Sequence, residues 1–487
     1  MAKVLEKAGG FLLEPKLPLN DRGEYAFGAG LFLTALWAGF VLLLFFAPFS
    51  IWLYAGLLLV TLVVLARSPE SGVVGLIVTT MLFESFFTLQ ETVVGEQSYK
   101  FYLIDALLLL TFGAYLFGER FKGFKLNKAD WAVLGLDALL AVYFVASFAL
   151  PGVDMALAFS AFKTYAFYSV LYFLVRRLLA RPNGLLALER AFMAGGFGIL
   201  FFLVFGLLAG QGLWVGATPL STAGSRILAP THAFYALFPL LLVLTKPVAP
   251  GAPAWWPRLK MALSWLWTFG IVFSLARHLW LVLAAQMAML WRFLPGLRRH
   301  LTAYSRWPLA LGLVGLVAIL MLTFSAPALV QNGTLGEGVG SVLERAKSLF
   351  SSDDVSINWR KTLWAEGWQN LIDRPLFGLG LGRELNFQLS ATNFTVAVRE
   401  LHNSVFALLV QTGLVGGAVF GWLLWRLFRP VKWHLRRAVV PAVALTGVVL
   451  ASLFGTYFEA NFLIVFFWIS AAWLASARIP YPVTSIP

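Results

Sequence analysis

Apolar runs of bilayer length recur along the chain, near residues 25–48, 51–66, 72–90, 100–118, 131–150, 155–175, 185–210, 231–245, 261–276, 278–295, 308–330, 403–425, 438–454 and 460–477. A hydrocarbon core about 30 Å thick takes roughly 20 helical residues per crossing, and a backbone in lipid must satisfy its polar groups within each segment. The pattern predicts an all-α, polytopic integral membrane protein with about 14 transmembrane helices. Composition agrees, since 60% of the 487 residues are hydrophobic and only 12% charged, more apolar surface than one water-soluble core hides. With no Cys, thiol catalysis and disulfides are excluded. The first residues carry Lys3, Lys7, Lys16 and Arg22 without a cleavable secretory pattern, so the first apolar run reads as an anchor.

A formal net charge of +14 raises nucleic acid as a partner, yet Lys and Arg also collect in cytoplasmic loops beside spans. Numbering the runs puts the loops bearing Arg120, Lys122, Lys125 and Lys128, then Arg176, Arg177 and Arg181, then Lys246, Arg258 and Lys260, on one side. The loops with Arg292, Arg298, Arg299 and Arg306, and with Arg426, Arg429, Lys432, Arg436 and Arg437, fall there too, whereas the connections near 49, 151–154 and 455–459 hold no Lys or Arg. Both termini are then cytoplasmic, most of the excess charge is topology, and no nucleic-acid partner is expected. Three regions follow: a transmembrane bundle over 1–330 with about 11 spans, a periplasmic loop domain over 331–402 between the eleventh and twelfth helices, and C-terminal helices over 403–487 with about three spans.

The outer loop is too long for a simple turn. SVLERAKSLF (341–350) and SINWRKTLWAEGWQNLI (356–372) both place apolar residues three and four apart, which predicts a small helical cap lying on the membrane. Against the positive-inside tendency it carries Arg345, Lys347, Arg360, Lys361, Arg374, Arg383 and Arg399, and nearby helix ends add Arg226 and Arg277. Cations on the unfavoured side point to a bound anion, and the planar fork of Arg suits a phosphate or diphosphate. Taken singly, these Arg residues are better explained by pairing with the acidic residues of the cap or with lipid headgroups. Arg277 differs, because FSLARHLWLVLAAQ (273–286) sets it between two apolar runs with no polar loop to dilute it.

RELHNSVFALLVQTGLVGG (399–417) runs from charge and imidazole into an apolar helix. Asn403 or Ser404 can cap that helix, leaving His402 at the positive end of its dipole, where the neutral, proton-accepting ring is favoured. The alternative is an interfacial His that only helps to cap. Gly413 and Gly417, four apart, read as sites of close helix packing. PLFGLGLG (375–382) lacks the dinucleotide spacing and reads as a turn packed under the cap, and the five His residues show no metal-ligand spacing, so neither metal nor cofactor is expected. Outside the cytoplasm no ATP drives bond formation, so a synthetic enzyme there needs an activated donor such as a lipid-linked diphosphate sugar.

At HNSVFALLVQTGLVG the chain resembles the O-antigen ligase and O-antigen polymerase superfamily, whose signature is His-Asn, nine residues, Gly, two residues, Gly. RHLWL (277–281) is similar to that family's Arg-x-x-x-Leu motif, and NWRKTLWAEGWQNLIDRPLFGLGLG (358–382) to its Arg-containing segment and Pro-Leu-Phe-Gly turn. The resemblance covers about the C-terminal half. It implies an inverting, metal-independent glycosyltransferase of the bacterial inner membrane, its site facing the periplasm, with an undecaprenyl-diphosphate-linked glycan as donor. His402 would be the base, and Arg277 and Arg360 would hold the diphosphate; Arg226, Arg383 and Arg399 lie on the same side without a clear motif match. In a ligase the acceptor is lipid A–core; in a polymerase it is another lipid-linked repeat. A lipid-glycan flippase is the rival from another class, although the polar residues inside spans, Glu84, Lys163 and Gln286, are few and the halves show no repeat. Lys163 is expected to line a lipid groove or to snorkel outward.

Overall fold

The computed structural model describes residues 22–46, 51–83, 88–94, 97–117, 124–181, 183–209, 226–247, 253–298, 302, 355–389, 394–398 and 401–477. In chain order the described elements are α1 (Arg22–Phe46), α2 (Ile51–Arg67), α3 (Pro69–Phe83), β1 (Thr88–Val94), β2 (Gln97–Tyr102), α4 (Leu103–Phe117), α5 (Lys128–Ser147) and α6 (Met155–Tyr165). After a 3-10 turn at Phe167–Ser169 come α7 (Val170–Leu179), α8 (Gly184–Ala209), α9 (Pro230–Thr245), α10 (Trp256–Phe273) and α11 (Arg277–Phe293). The rest are α12 (Val355–Asp373), β3 (Leu385–Leu389), β4 (Phe394–Val398), α13 (Ser404–Phe428), α14 (Arg436–Ser452) and α15 (Asn461–Ser476).

The chain is a helical membrane protein. Among the described residues, five helical segments are long and apolar enough to cross a bilayer: Glu24–Leu43, Lys128–Ser147, Met155–Leu179, Gly184–Ala209 and Ser404–Phe428. Shorter apolar helices accompany them, and every expected apolar run except 308–330 falls on a described helix. That run, the first cap segment at 341–350 and Glu84 lie outside the described residues. Two antiparallel hairpins depart from an all-helical reading. β1 pairs with β2 from Thr88↔Tyr102 to Val94↔Gln97, so the helix expected over 72–90 ends at Phe83; β-branched and aromatic residues in TLQETVV and QSYKFY favour the pleated form. β3 pairs with β4 and puts a hairpin into the region expected to be a purely helical cap.

The chain forms two compact units. The first comprises Phe192–Trp359 and Trp433–Gly447 together with Met1–Lys16. Within it, Phe192 stacks on Phe238 at 5.0 Å, and Trp267 of α10 donates to the Gly196 carbonyl (3.0 Å) where α8 has only a glycine. Gln286 of α11 reaches the Val443 carbonyl (3.4 Å) across Gly447, whose missing side chain leaves room for the amide.

The second unit holds Leu17–Ala191, Arg360–Lys432 and Val448–Pro487. Here α1 packs on α3, α7 on α15 and α5 on α13. Two buried carboxylates cross-link it. Asp105 accepts from Lys163 Nζ (2.8 Å), from the Tyr168 hydroxyl and from the Tyr102 amide (2.9 Å). Asp130 completes a capping box with Asn127 at the start of α5 while also holding Tyr172 (2.7 Å) and Arg176. A charge in a low-dielectric interior persists only when paired and hydrogen-bonded, and each carboxylate here has both. Lys163, expected in a lipid groove or snorkelling, is instead buried, because Asp105 offers a better partner than the distant surface.

Candidate functional site

The site is built around α13, which is broken in mid-course. Gly413 adopts φ +65°, ψ −166°, which interrupts the helical hydrogen-bond ladder. The turn PLFGLGLG fills the gap. Leu379 N donates to the Val410 carbonyl (3.0 Å) and Gly380 N to that of Gln411 (2.9 Å), while Leu414 N and Val415 N donate to Pro375 (2.8 Å) and Leu376 (3.1 Å). Tyr143 of α5 donates its hydroxyl to the Thr412 carbonyl (2.7 Å). Non-helical backbone at membrane depth survives only where protein satisfies it, and this turn does so. The reading of 375–382 as a packed turn agrees, whereas Gly413 serves the break itself rather than a flat helix–helix seam. Asp154 N donates to the Gly382 carbonyl (3.0 Å) and Ser147 Oγ to that of Leu381 (3.1 Å), which ties the turn to the end of α5 and the start of α6.

Directly before α13, His402 is half-buried with left-handed backbone, φ +50°, a state His takes more readily than most residues with a side chain. Its neighbours fix it on both sides. Trp364 of α12 donates its indole N–H to the Leu401 carbonyl (2.8 Å), and Asn403 is the N-cap, its side-chain oxygen accepting from Phe406 N (3.0 Å). Ser404 does not cap; it donates to the Gly455 carbonyl (2.9 Å) and accepts from Phe458 N (3.0 Å), binding the loop before α15 to the start of α13. Burial first, and the Arg360 guanidinium second, hold the His402 pKa below its usual range. At neutral pH the ring is uncharged and able to accept a proton.

The remaining cations divide between the two units. Arg360 of α12 and Arg383, whose Nη2 donates to the Pro151 carbonyl (2.9 Å), belong with His402 in the second. Arg277 and Arg226 belong to the first, both half-buried. Arg277 opens α11 immediately after a sharp joint in which Leu275 has φ +56° and Ser274 Oγ accepts from Ala276 N (3.3 Å). Arg399 lies outside the described residues. Two residues that sequence reasoning missed stand close to this site: Gln411 of α13, and Glu459, whose carboxylate faces Ser404 Oγ at 3.4 Å. Glu459 had a signal, being the sole charged residue between 438 and 477.

Residues 262–421 match the family model Wzy_C, described as O-Antigen ligase. No curated protein matches the chain. The matched segment runs from α10 into α13 and contains Arg277, Arg360, Arg383, Arg399 and His402, with Arg226 upstream of it. Through this segment, about a third of the chain, the protein is similar to the O-antigen ligase family.

Proposed function

We propose that this protein is a glycosyltransferase of the bacterial inner membrane that moves a glycan from undecaprenyl diphosphate to a sugar hydroxyl of lipid A–core, on the periplasmic side, with inversion and without a metal. In this reading a cap over 331–402 joins the bundle 1–330 to the C-terminal helices 403–487, and about 14 spans set the polarity. The observation that supports it is His402: an imidazole with a lowered pKa, flanked by residues bonded to α12 and to the start of α13, beside the Arg360 guanidinium and inside the segment that matches the ligase family.

The chemistry follows from those two groups. His402 takes the proton of the acceptor hydroxyl as its oxygen attacks the anomeric carbon from the face opposite the diphosphate. The bond from that carbon to the diphosphate oxygen breaks, and undecaprenyl diphosphate leaves with the electron pair. Arg360 stabilises the growing charge, and the proton on His402 passes to the aqueous phase. By its motif resemblance Arg277, at the first residue of α11, is assigned to a diphosphate, an anion that the N-terminal end of a helix favours. Arg226, Arg383 and Arg399 are the further cations of this side.

The test is glycan transfer by the purified full chain in detergent, with lipid-diphosphate glycan as donor and lipid A–core as acceptor. His402→Ala should lower the rate by about 10²–10⁴ while donor binding persists. Unchanged transfer would remove His402 as the base. Product formed from donor alone would assign the polymerase reaction, and lipid crossing vesicle bilayers without transfer would assign a flippase.

A further inference from the structure

A cavity of about 400 Å³ lies within the second unit, between α6, the broken part of α13 and the loop that leads into α15. That volume is in the range of sites for small molecules, roughly 300–1,000 Å³. Its wall is polar in an otherwise apolar bundle: Ser160, Thr164 and Tyr165 from α6, Arg383 after the glycine turn, Gln411 from α13 and Glu459 from the loop. The Gln411 Oε1 atom and the Arg383 Nε atom are buried with no protein hydrogen-bond partner among the described residues. Such atoms require a partner from solvent or ligand.

The chemistry of the wall selects among ligands. An acyl chain would strip water from amide, hydroxyl and guanidinium groups and give nothing back. A diphosphate would meet Arg383 but also the Glu459 carboxylate. A neutral polyol uses donors and acceptors together: its hydroxyls donate to Glu459, Gln411 and Thr164, whose own proton goes to the Ser160 carbonyl, and accept from Arg383 and the Ser160 hydroxyl. The rings of Tyr102 and Phe462, also in the wall, can cover the apolar face of a sugar. The Tyr102 ring is fixed from behind by Lys163 Nζ, 4.9 Å from its centroid. Moreover, the loop that supplies Glu459 is hydrogen-bonded to Ser404, two residues from His402.

We propose that this cavity is a saccharide-binding pocket that seats one or two pyranose rings of the transferred or accepting glycan, with Gln411, Arg383 and Glu459 reading the hydroxyls. The inference rests on the glycosyl-transfer reading for its purpose, and it gives Arg383 a task other than holding diphosphate.

The test is saturation-transfer-difference NMR on the full chain in detergent, using a panel of methyl hexopyranosides and their disaccharides. Wild type should saturate at least one member. Gln411→Leu, and independently Ala161→Phe, which projects a ring into the same cavity, should weaken that binding at least tenfold while the thermal unfolding profile stays that of wild type. Competition by free acceptor oligosaccharide or by lipid-linked donor, added separately, identifies which glycan contributes the ring. Absence of binding by any sugar, competition by neither glycan, or full binding by both variants overturns the pocket. His402→Ala should bind sugar as wild type does; if that variant also transfers glycan, the catalytic reading fails while the pocket stands.

Discussion

Replacing Gly413 with Ala should uncouple the two halves of α13. Its φ +65°, ψ −166° lies in a region reserved for glycine, costing a side-chain-bearing residue about 1–3 kcal/mol. An added Cβ would also stand 2.4 Å from the carbonyl carbon and oxygen of Leu376 and 2.6 Å from Gly378 N. These are backbone atoms of the inserted turn, so relief requires the turn to move. Its movement breaks at least two of the hydrogen bonds made by Leu379, Gly380, Leu414 and Val415, at roughly 1 kcal/mol each. The total is about 3–5 kcal/mol, a shift of more than a hundredfold in the folding equilibrium. Unfolding in mixed micelles of increasing denaturing detergent, followed by tryptophan fluorescence, measures it. Gly421→Ala is the control in the same helix: nothing lies within 4 Å of the new methyl, so the change should gain roughly 0.5–1 kcal/mol. If the two variants unfold within about 0.5 kcal/mol of each other, α13 is continuous and the account of the glycine turn is wrong.

Because the His402 pKa lies below its ordinary 6.5, the acid limb of kcat/KM should fall below pH 6.5, and a limb at or above that value would refute the neutral-base reading. The sign for stability is the same: the neutral ring's contribution is complete above 6.5 and is lost as pH falls through the lowered folded value. Arg360→Ala removes the second cause of that lowering, so besides slowing transfer it should move the limb toward 6.5; a limb that stays put would deny the two groups their electrostatic contact. Lys163→Met leaves Asp105 buried beside Tyr168 without its cation and should cost about 3–5 kcal/mol, most of it recovered in the double variant with Asp105→Leu. Strictly additive losses in the same detergent titration would show that the pair is not coupled.

The helices were legible because their cause is local. Twenty apolar residues in lipid have little choice but to coil, so the expected runs and the described helices agree to within a few residues at most ends. Where the cause is not local, the sequence misled. The apolar runs expected to end at 90 and to resume at 100 each overlap a hairpin, because the pairing of Thr88–Val94 with Gln97–Tyr102 is a two-strand property that a sliding window cannot see. His402 and Arg277 stand out in the sequence because an ionisable residue at a membrane boundary is conspicuous, and Arg360 because its segment resembles the family motif. Gln411 was not, since a neutral amide in the middle of an apolar helix gives no periodic or charge signal, and only the break at Gly413 explains why its buried oxygen is tolerated beside a cavity. Glu459 was visible as a lone charge, but its relation to Ser404, 55 residues away in sequence, comes from the fold.

The buried polar groups also bear on the rival reading of a transporter. Carriers place ionisable groups near the bilayer midplane, where they meet substrate at the interface between repeats. Three cations within the helices of the second unit are paired with carboxylates: Lys163 binds Asp105, Arg176 binds Asp130, and Arg190 of α8 binds Glu24 of α1 (3.1 Å). Asp105 and Asp130 each add a tyrosine hydroxyl, which leaves them little capacity for a passing solute. Gln286 of α11 reaches a backbone carbonyl across a glycine in the manner of a helix–helix cross-link. Groups spent in this way hold helices together. A translocation path would need them to exchange partners each cycle, and breaking a buried ion pair costs about 3–5 kcal/mol per event. In the second unit a lowered pKa and a restrained backbone come together instead at His402, which stands just before the start of α13 rather than in the middle of a helix.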